Sequence, residues 1–291
     1  MKGKIALSFR QSINSFIRSP LSVVLRLSVI LAAVATISVL LFIVVYILVK
    51  GLPNLTPDLF SFRYTSENVS LFPALINTII ITLISLLIAA PIGIFSAIYL
   101  VEYARRGNKF TAAIRITTET LSGIPSIVYG LFGFLFFVTA FGLGFSILAG
   151  AMTLSIMILP LIMRTTEEAL KAVPDSYREG SFGLGAGRLR TVFKVVLPSA
   201  MPGILAGAIL AVGRIVGETA ALIYTTGTIA DIPDSLLSSG RTLSVHMYAL
   251  SSEGMHVNKA YATAVVLLVI VIGINRLSGF VAEKITKYEY T

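Results

Sequence analysis

Hydrophobic stretches without charge dominate the sequence, and the three longest cover residues 27–49, 68–101 and 120–163. A helix needs about 20 apolar residues to cross a hydrocarbon core of about 30 Å, because each residue rises about 1.5 Å. The third stretch is too long for one span. Gly142 and Gly144 interrupt it near its middle, so it predicts a third and a fourth helix joined by a tight turn.

Two further segments are apolar but contain charges. Residues 199–226 predict a fifth helix that Arg214 and Glu218 interrupt. Residues 260–280 predict a sixth helix, with Arg276 near one end, where its side chain can reach the interface. Six spans predict an all-α integral membrane protein.

Composition and charge support the same class. The chain of 291 residues is 56% hydrophobic and 13% charged, against about 25% charged residues in soluble domains. Loops rich in Lys and Arg stay in the cytoplasm. With a cytoplasmic N-terminus, the outer side keeps only four of the 23 basic residues, Lys50, Arg63, Arg241 and Lys259. Both termini are therefore predicted to be cytoplasmic, and the net charge of +9 reflects topology, with no nucleic-acid partner.

One membrane domain is predicted over residues 23–291, with a cytoplasmic loop at 165–198 and an outer loop at 227–259. Residues 1–22 place apolar side chains at near-helical spacing between basic ones. That pattern fits either a helix on the inner membrane surface or a frayed polar tail.

The sequence offers little catalytic or metal-binding chemistry. It has no cysteine, which excludes a thiolate nucleophile and a Cys-based metal site. His246 and His256 have no carboxylate at metal-ligand spacing, so we interpret them as ordinary loop histidines and predict no metal site.

A short helix is predicted in the cytoplasmic loop. Pro174 ends the helical segment that precedes it, and the pair Ser176 and Glu179 has the spacing of a capping box. The following segment is rich in small residues, and each Gly costs a helix about 1 kcal/mol relative to Ala. We therefore expect this helix to gain stability from another surface that approaches it closely.

The loop resembles the signature of importer permeases of the ATP-binding-cassette (ABC) class, written Glu-Ala-Ala, three residues, Gly, nine residues, Ile-x-Leu-Pro. Here the matching positions are 179–181, Gly185 and 195–198, with Gly180, Ser181 and Val195 as departures that keep the size class. The resemblance implies a coupling helix seated in a groove of an ATPase. It assigns that contact to Tyr177, Arg178, Glu179, Gly180, Ser181, Gly185, Ala186, Leu197 and Pro198.

Two alternatives bear on this loop. Glu179 can be a cap of its own helix alone, or a docking residue as well. The glycines at 183–187 do not form a phosphate loop, since no strand precedes them and no Gly-Lys-Ser/Thr follows. The ATPase is therefore predicted to be another polypeptide, which carries the ATP and Mg²⁺, while this chain binds no cofactor and is not itself an enzyme.

Arg214 and Glu218 lie inside the fifth predicted span. A charge at this depth costs about 2.5–3.5 kcal/mol, so the pair is a functional hypothesis by default. Their spacing of four residues predicts one helix face. The pair either only orients the helix or lines an anion path with Thr219, where Arg214 binds a tetrahedral oxyanion and Glu218 holds Arg214 when the path is empty. Gly213 and Gly217 are expected to let another backbone approach closely.

The run from Gly213 to Ala220 resembles the fifth-helix signature of phosphate-importer permeases. Segments at 77–78, 91–93, 99–103 and 123–130 are also similar to that family, and residues 242–248 look more like its A type (PstA) than its C type. The resemblance implies a type I ABC importer permease in a prokaryotic plasma membrane. Its implied partners are a C-type permease, a dimer of ATPase subunits and an outer phosphate-binding protein.

Other functions stay open at this point. One arginine does not distinguish phosphate from sulfate or molybdate, and only the resemblance favours phosphate. An ion-coupled secondary transporter would also use charges within the membrane, but it leaves the cytoplasmic loop motif unexplained. An intramembrane enzyme would need His and carboxylate ligands at membrane depth, whereas both histidines are predicted in the outer loop.

Overall fold

The computed structural model describes residues 20–105 and 107–289. Almost all of the N-terminal segment 1–22 lies outside the described residues, so its two interpretations stay predictions.

The described residues are helical, with no β-strand among them. The α-helices are α1 (Pro20–Gly51), α2 (Phe72–Ile98), α3 (Lys109–Ser122), α4 (Ser126–Gly133), α5 (Ile147–Ala172), α6 (Asp175–Gly183), α7 (Arg188–Thr191), α8 (Leu197–Val216), α9 (Ala220–Ile223), α10 (Leu243–Glu253) and α11 (Val257–Glu289). Three π-helical segments continue or precede them, at Tyr99–Tyr103, Phe134–Ala140 and Val192–Val196.

Five of these helical stretches are long and apolar enough to cross a membrane, and they contain α1, α2, α5, α8 and α11. A sixth span requires α3 and α4 to be taken together. The prediction of an all-α membrane protein is confirmed, and the predicted six spans are reached when this bent pair is counted as one. The turn predicted between the third and fourth spans is also present, because Gly142 and Gly144 adopt φ values of +68° and +62°, which favour glycine.

The third span is not the single helix that the sequence predicted. α3 and α4 meet at 103° across Gly123, Ile124 and Pro125. Pro125 has no N–H to donate and disfavours helical geometry at Ile124. α3 therefore ends at Ser122, with Gly123 as its C-cap, and α4 begins anew after Pro125. The expectation of one continuous helix from residue 120 is wrong. The span consists of the amphipathic α3 followed by a short apolar helix that begins at Ser126.

The described chain divides into two compact units between Lys50 and Gly51. The first is α1, whose residues 27–49 carry no charge. The second holds the remaining helices, and its core centres on α5. Leu154, Met157 and Ile158 of α5 are buried with Ile81 of α2 and Ile215 of α8.

Close helix packing fixes α8 against α5. A Cβ placed on Gly207 of α8 would overlap the Thr165 hydroxyl of α5. A second apolar cluster lies toward the cytoplasmic loop, where Leu170 of α5 is buried with Val196 of the last π-helical segment and Ala200 in the first turn of α8. The cytoplasmic loop is therefore anchored to the body at both of its ends.

Candidate coupling surface and charged path

The predicted helix in the cytoplasmic loop is present as α6, but it starts differently. Pro174 is its N-cap, and no side chain caps it. The Tyr177 N–H donates to the Pro174 carbonyl at 3.1 Å, so Ser176 already lies within the first turn. The prediction of a Ser176–Glu179 capping box is wrong, because the helix has its N-cap two residues earlier, at Pro174. Glu179 is exposed and does not cap its own helix.

One side of this loop projects away from the body. Tyr177, Phe182 and Leu184 are 51%, 47% and 92% exposed. Nothing lies within 4 Å of a Cβ placed on Gly180 or Gly185, and Gly185 has a φ of +81°. We call Tyr177, Glu179, Gly180, Phe182, Leu184 and Gly185 the coupling surface. Sequence reasoning missed Phe182 and Leu184, although large apolar residues in a glycine-rich cytoplasmic loop were a usable signal.

Arg178 faces inward and anchors α6. Its Nη2 donates to Glu102 Oε1 at 2.7 Å and to the Leu170 carbonyl at 2.9 Å. Its Nη1 donates to the Val173 carbonyl at 2.8 Å and to Asp175 Oδ1 at 3.2 Å. The side chains of Arg178 and Glu102 are only 15% and 8% exposed. We call the contacts of Arg178 with Glu102 and with the carbonyls of Leu170 and Val173 the clasp. The predicted coupling residues therefore include both exposed side chains and this buried anchor.

The other predicted coupling residues hold the loop together. Ser181 Oγ lies 2.8 Å from Oγ1 of the buried Thr191, and the Ala186 N–H donates to the Ser181 carbonyl at 3.1 Å. Leu197 is half-buried, and Pro198 is exposed in the first turn of α8. The prediction that 195–198 leads directly into the fifth span is confirmed, since one helical stretch runs from Arg188 to Val216.

The fifth helix ends before Glu218. Its C-cap is Gly217, and Glu218 Oε1 accepts a hydrogen bond from the Ala221 N–H at 3.1 Å, which caps the short helix α9. Arg214 and Glu218 therefore do not share one helix face, and that prediction is wrong. No ion pair joins them in the part of the chain that the structure describes. Thr219 is half-buried and is the backbone N-cap of α9.

Arg214 lies in the last turn of α8, where the negative end of the helix dipole favours a cation. Its side chain is exposed and lines a cavity of about 350 Å³. Thr118, Glu119 and Ser122 of α3 line the same cavity. These three residues were missed, although polar groups at the start of a long apolar run were a visible signal.

Gly213 and Gly217 do not bring another backbone close. Nothing lies within 4 Å of a Cβ on Gly213, and the atom near Gly217 is the Gly213 carbonyl of the same helix. The expected packing is therefore wrong within the described chain, and this side of α8 beside Arg214 is open.

The outer loop is more ordered than the sequence indicated. Asn77 Nδ2 donates to the carbonyls of Asp231 and Arg241, each at 3.1 Å, and Thr78 Oγ1 accepts from the Leu243 N–H at 2.9 Å. His246 lies in helix α10 and is fully buried, so it is not a loop histidine. Burial and the nearby Arg241 charge lower the pKa of His246 to about 3.

These features define a multi-pass helical membrane protein with an exposed coupling surface between two spans and an arginine beside a polar cavity, which is the architecture of a transport permease. The chain belongs to the family of binding-protein-dependent transport system inner membrane components, which matches residues 89–287. It is accordingly the permease component of an ABC importer.

Curated relatives agree with this assignment. The chain is 37% identical over 230 residues to the probable ABC transporter permease protein YqgI of Bacillus subtilis (strain 168), covering 72% of this chain and 76% of the relative. It is 32% identical over 213 residues to the phosphate transport system permease protein PstA 1 of Mycobacterium tuberculosis (strain ATCC 25618 / H37Rv), covering 72% and 68%.

Solved structures support the fold. The MetNI methionine ABC transporter in an inward-facing conformation matches with a TM-score of 0.59 and 21% identity, covering 74% of this chain and 94% of that chain. A bacterial alginate ABC transporter in complex with its periplasmic protein matches with a TM-score of 0.62 and 17% identity, covering 89% and 95%. At these identities the likeness concerns the fold alone.

Proposed function

We propose that this chain is a permease subunit for inorganic phosphate, and that Arg214 binds the anion on its path. The observation that carries the proposal is the Arg214 side chain at the 350 Å³ cavity, with no carboxylate paired to it among the described residues. A guanidinium presents several N–H donors in a fixed fork that suits a tetrahedral oxyanion. Relatives named as PstA support phosphate as that oxyanion.

The geometry gives Glu218 a different part in this proposal. Its carboxylate caps α9, which fixes the break between α8 and α9 directly after Arg214. The Glu218 carbonyl also accepts from Ser244 Oγ of α10, which ties the break to the outer helix. Glu218 and Thr219 do not line the cavity, so in this proposal they hold the break after α8, and Arg214 is the residue that contacts the anion.

In this proposal the coupling surface docks onto a separate ATPase, which binds the ATP and Mg²⁺. The exposed apolar side chains of Tyr177, Phe182 and Leu184 would be buried in that contact. The open side of α8 beside Gly213 would face a second, C-type permease, and a phosphate-binding protein would deliver the anion to the outer loop. The family description supports the binding protein, and the name of the Bacillus subtilis relative, an ABC transporter permease, supports the ATPase. The C-type permease rests on the sequence resemblance.

The test is phosphate uptake by the reconstituted importer that carries an Arg214→Gln subunit. Loss of a charge-assisted hydrogen bond weakens anion binding by about 1.5–3 kcal/mol, so we expect uptake to fall by at least tenfold. Complex assembly should be retained. Arg276→Gln is the matched control, because Arg276 is also an exposed cation on a spanning helix. Normal phosphate uptake by the Arg214→Gln importer would contradict the proposed binding of the anion by Arg214.

Unlabelled competitors test the substrate in the same assay. Excess phosphate should suppress uptake of labelled phosphate by the wild-type importer, whereas sulfate and molybdate should leave it unchanged. Competition by sulfate or molybdate at similar concentrations would replace phosphate with a broader class of tetrahedral oxyanions.

A further inference from the structure

A second, larger cavity lies beside the coupling helix. Its volume is about 910 Å³. Its walls come from the π-helical segment Tyr99–Tyr103 and the loop after it, the first half of α3, the end of α5 and the starts of α6 and α7. The residues that carry charge or hydroxyl groups on its wall are Glu102, Tyr103, Arg105, Lys109, Thr111, Arg115, Lys171, Asp175, Arg178 and Arg188. Six of them are cations and two are carboxylates.

Half of these cations have no carboxylate to neutralise them. Arg178 pairs with Glu102 and Asp175, and Arg115 and Lys171 share Glu167 at 2.8 and 2.6 Å. The three others, Arg105, Lys109 and Arg188, form no ion pair in the described ranges 20–105 and 107–289. The Arg188 guanidinium lies 5.4 Å from the centre of the Tyr103 ring, which holds it at the cavity wall. The cavity therefore has an excess of positive charge.

Two buried hydroxyls on the same wall have no hydrogen-bond partner among the described residues. They are Oγ1 of Thr111, a residue that is only 6% exposed, and the phenol oxygen of Tyr103. Buried polar groups are nearly always hydrogen-bonded in folded proteins, so an unpaired one on a cavity wall indicates an occupant. Thr111 also lies in the first turn of α3. Asn108 Oδ1 already accepts from the Phe110 N–H there, and the remaining first-turn N–H groups and the helix dipole favour an anion.

We propose that this cavity binds a phosphate group, supplied either by inorganic phosphate in the cytoplasm or by the headgroup of an anionic phospholipid. Both sources present a tetrahedral oxyanion that accepts hydrogen bonds from Lys109, Arg188 and the α3 amides. The two hydroxyls are buried and would donate to it by turning toward the cavity. The volume is ample for either source with its ordered water. The proposal does not depend on which anion the importer transports.

Occupancy of this site would act on the coupling helix. Arg178 lies in the first turn of α6, between Tyr177 and Glu179, and Arg188 begins α7, so the cavity wall includes part of the coupling helix and the start of the next helix. A bound phosphate group would draw these two cations toward Lys109 of α3 and hold the loop against the body. The site would therefore set how readily the loop moves.

The experiment uses the full-length chain in nanodiscs of phosphatidylcholine, alone or with phosphatidylglycerol. Thermal unfolding is followed with inorganic phosphate against chloride at matched ionic strength. A raised midpoint with phosphate in pure phosphatidylcholine supports free phosphate as the source. A raised midpoint with phosphatidylglycerol alone supports the lipid headgroup. If neither raises the midpoint, the proposal is wrong.

Two variants make the test specific. Arg188→Gln should lower the affinity for the stabilising ligand about tenfold, because it removes a charge-assisted hydrogen bond. Arg190→Gln, an equally exposed cation in the same helix but outside the cavity, should leave binding unchanged. Equal loss of ligand stabilisation in both variants would indicate general charge screening and would contradict a specific site in this cavity.

Thr111→Val provides a second measurement if Arg188→Gln does not fold. It removes the unpaired hydroxyl and keeps the side-chain volume. We expect unfolding without ligand to be unchanged or shifted to a higher temperature, and ligand stabilisation to be reduced severalfold. Full ligand stabilisation in this variant would remove Thr111 from the site.

Discussion

Replacing Arg178 by Gln should destabilise the protein far more than replacing Glu102 by Gln, although the two residues form one ion pair. Glu102 is 8% exposed, and Arg178 is its one ionic partner in the described chain. Removing Arg178 leaves a buried carboxylate without compensation and frees the carbonyls of Leu170 and Val173. Breaking a buried pair from one side costs about 3–5 kcal/mol, and partial exposure places this case near 3 kcal/mol.

The reverse substitution leaves more contacts in place. In Glu102→Gln, Arg178 keeps Asp175 and both carbonyls, so the expected cost is about 1 kcal/mol. The double variant should cost less than the sum of the single variants, because the uncompensated carboxylate disappears with its partner. We therefore expect a coupling energy of about 1.5 kcal/mol, measured from equilibrium unfolding of all four proteins in mixed micelles.

A surface pair on α5 is the matched control for this cycle. Arg164 and Glu168 lie 3.0 Å apart with side chains 66% and 64% exposed, so Arg164→Gln should cost at most about 0.5 kcal/mol. The reasoning is refuted if Arg178→Gln costs no more than Glu102→Gln, or if the double variant is additive. Either result would mean that water reaches Glu102 and that the clasp does not depend on burial.

Two further predictions concern the outer helix and the helix packing. The pKa of His246 is depressed to about 3 against about 6.5 in the unfolded chain. Between about pH 6.5 and pH 3 only the unfolded chain takes up a proton at His246. The free energy of unfolding should therefore be highest above about pH 6.5 and should fall toward pH 3 by at most about 1.4 kcal/mol per pH unit. Thermal unfolding at several pH values should show a shallower slope for His246→Gln, and equal slopes would contradict the assignment. Gly207→Ala should cost about 1–3 kcal/mol because its methyl group meets Thr165, whereas Gly213→Ala in open space should be neutral or stabilising. Equal unfolding midpoints for these two variants would contradict the close packing of α5 and α8.

The spans could be predicted from the sequence because a membrane demands long uncharged runs, and these runs are visible without any tertiary information. The breaks within spans were harder to predict. Gly123 and Pro125 carried a turn signal, but they lie inside a run of 44 uncharged residues at 120–163, where the signal was outweighed by hydropathy. Glu218 was assigned to a helix by its spacing from Arg214, whereas its carboxylate caps the next helix.

Residues that act through tertiary contacts carried no local signal. Glu102 and Arg178 are 76 residues apart, and neither position alone indicates an ion pair. The resemblance placed Arg178 in the coupling loop but could not tell an inward side chain from an outward one. The capping-box spacing at Ser176 and Glu179 was a real pattern, but Pro174 had already fixed the start of the helix.

Besides its covalent link to α5 through Val173 and Pro174, the coupling surface has two connections to the rest of the second unit. The first is covalent, since one helical stretch continues from Arg188 to Val216 and carries Arg214. The second is the clasp, because Arg178 ties α6 to Glu102 in the π-helical segment that follows α2. The cavity beside Arg214 and the larger cavity share Leu100, Arg115 and Lys171 in their walls, next to this clasp. A displacement of α6 therefore acts on α5, on the π-helical segment after α2, or on the helical stretch that begins at Arg188. The last two contribute residues to the wall of the larger cavity, which carries positive charge.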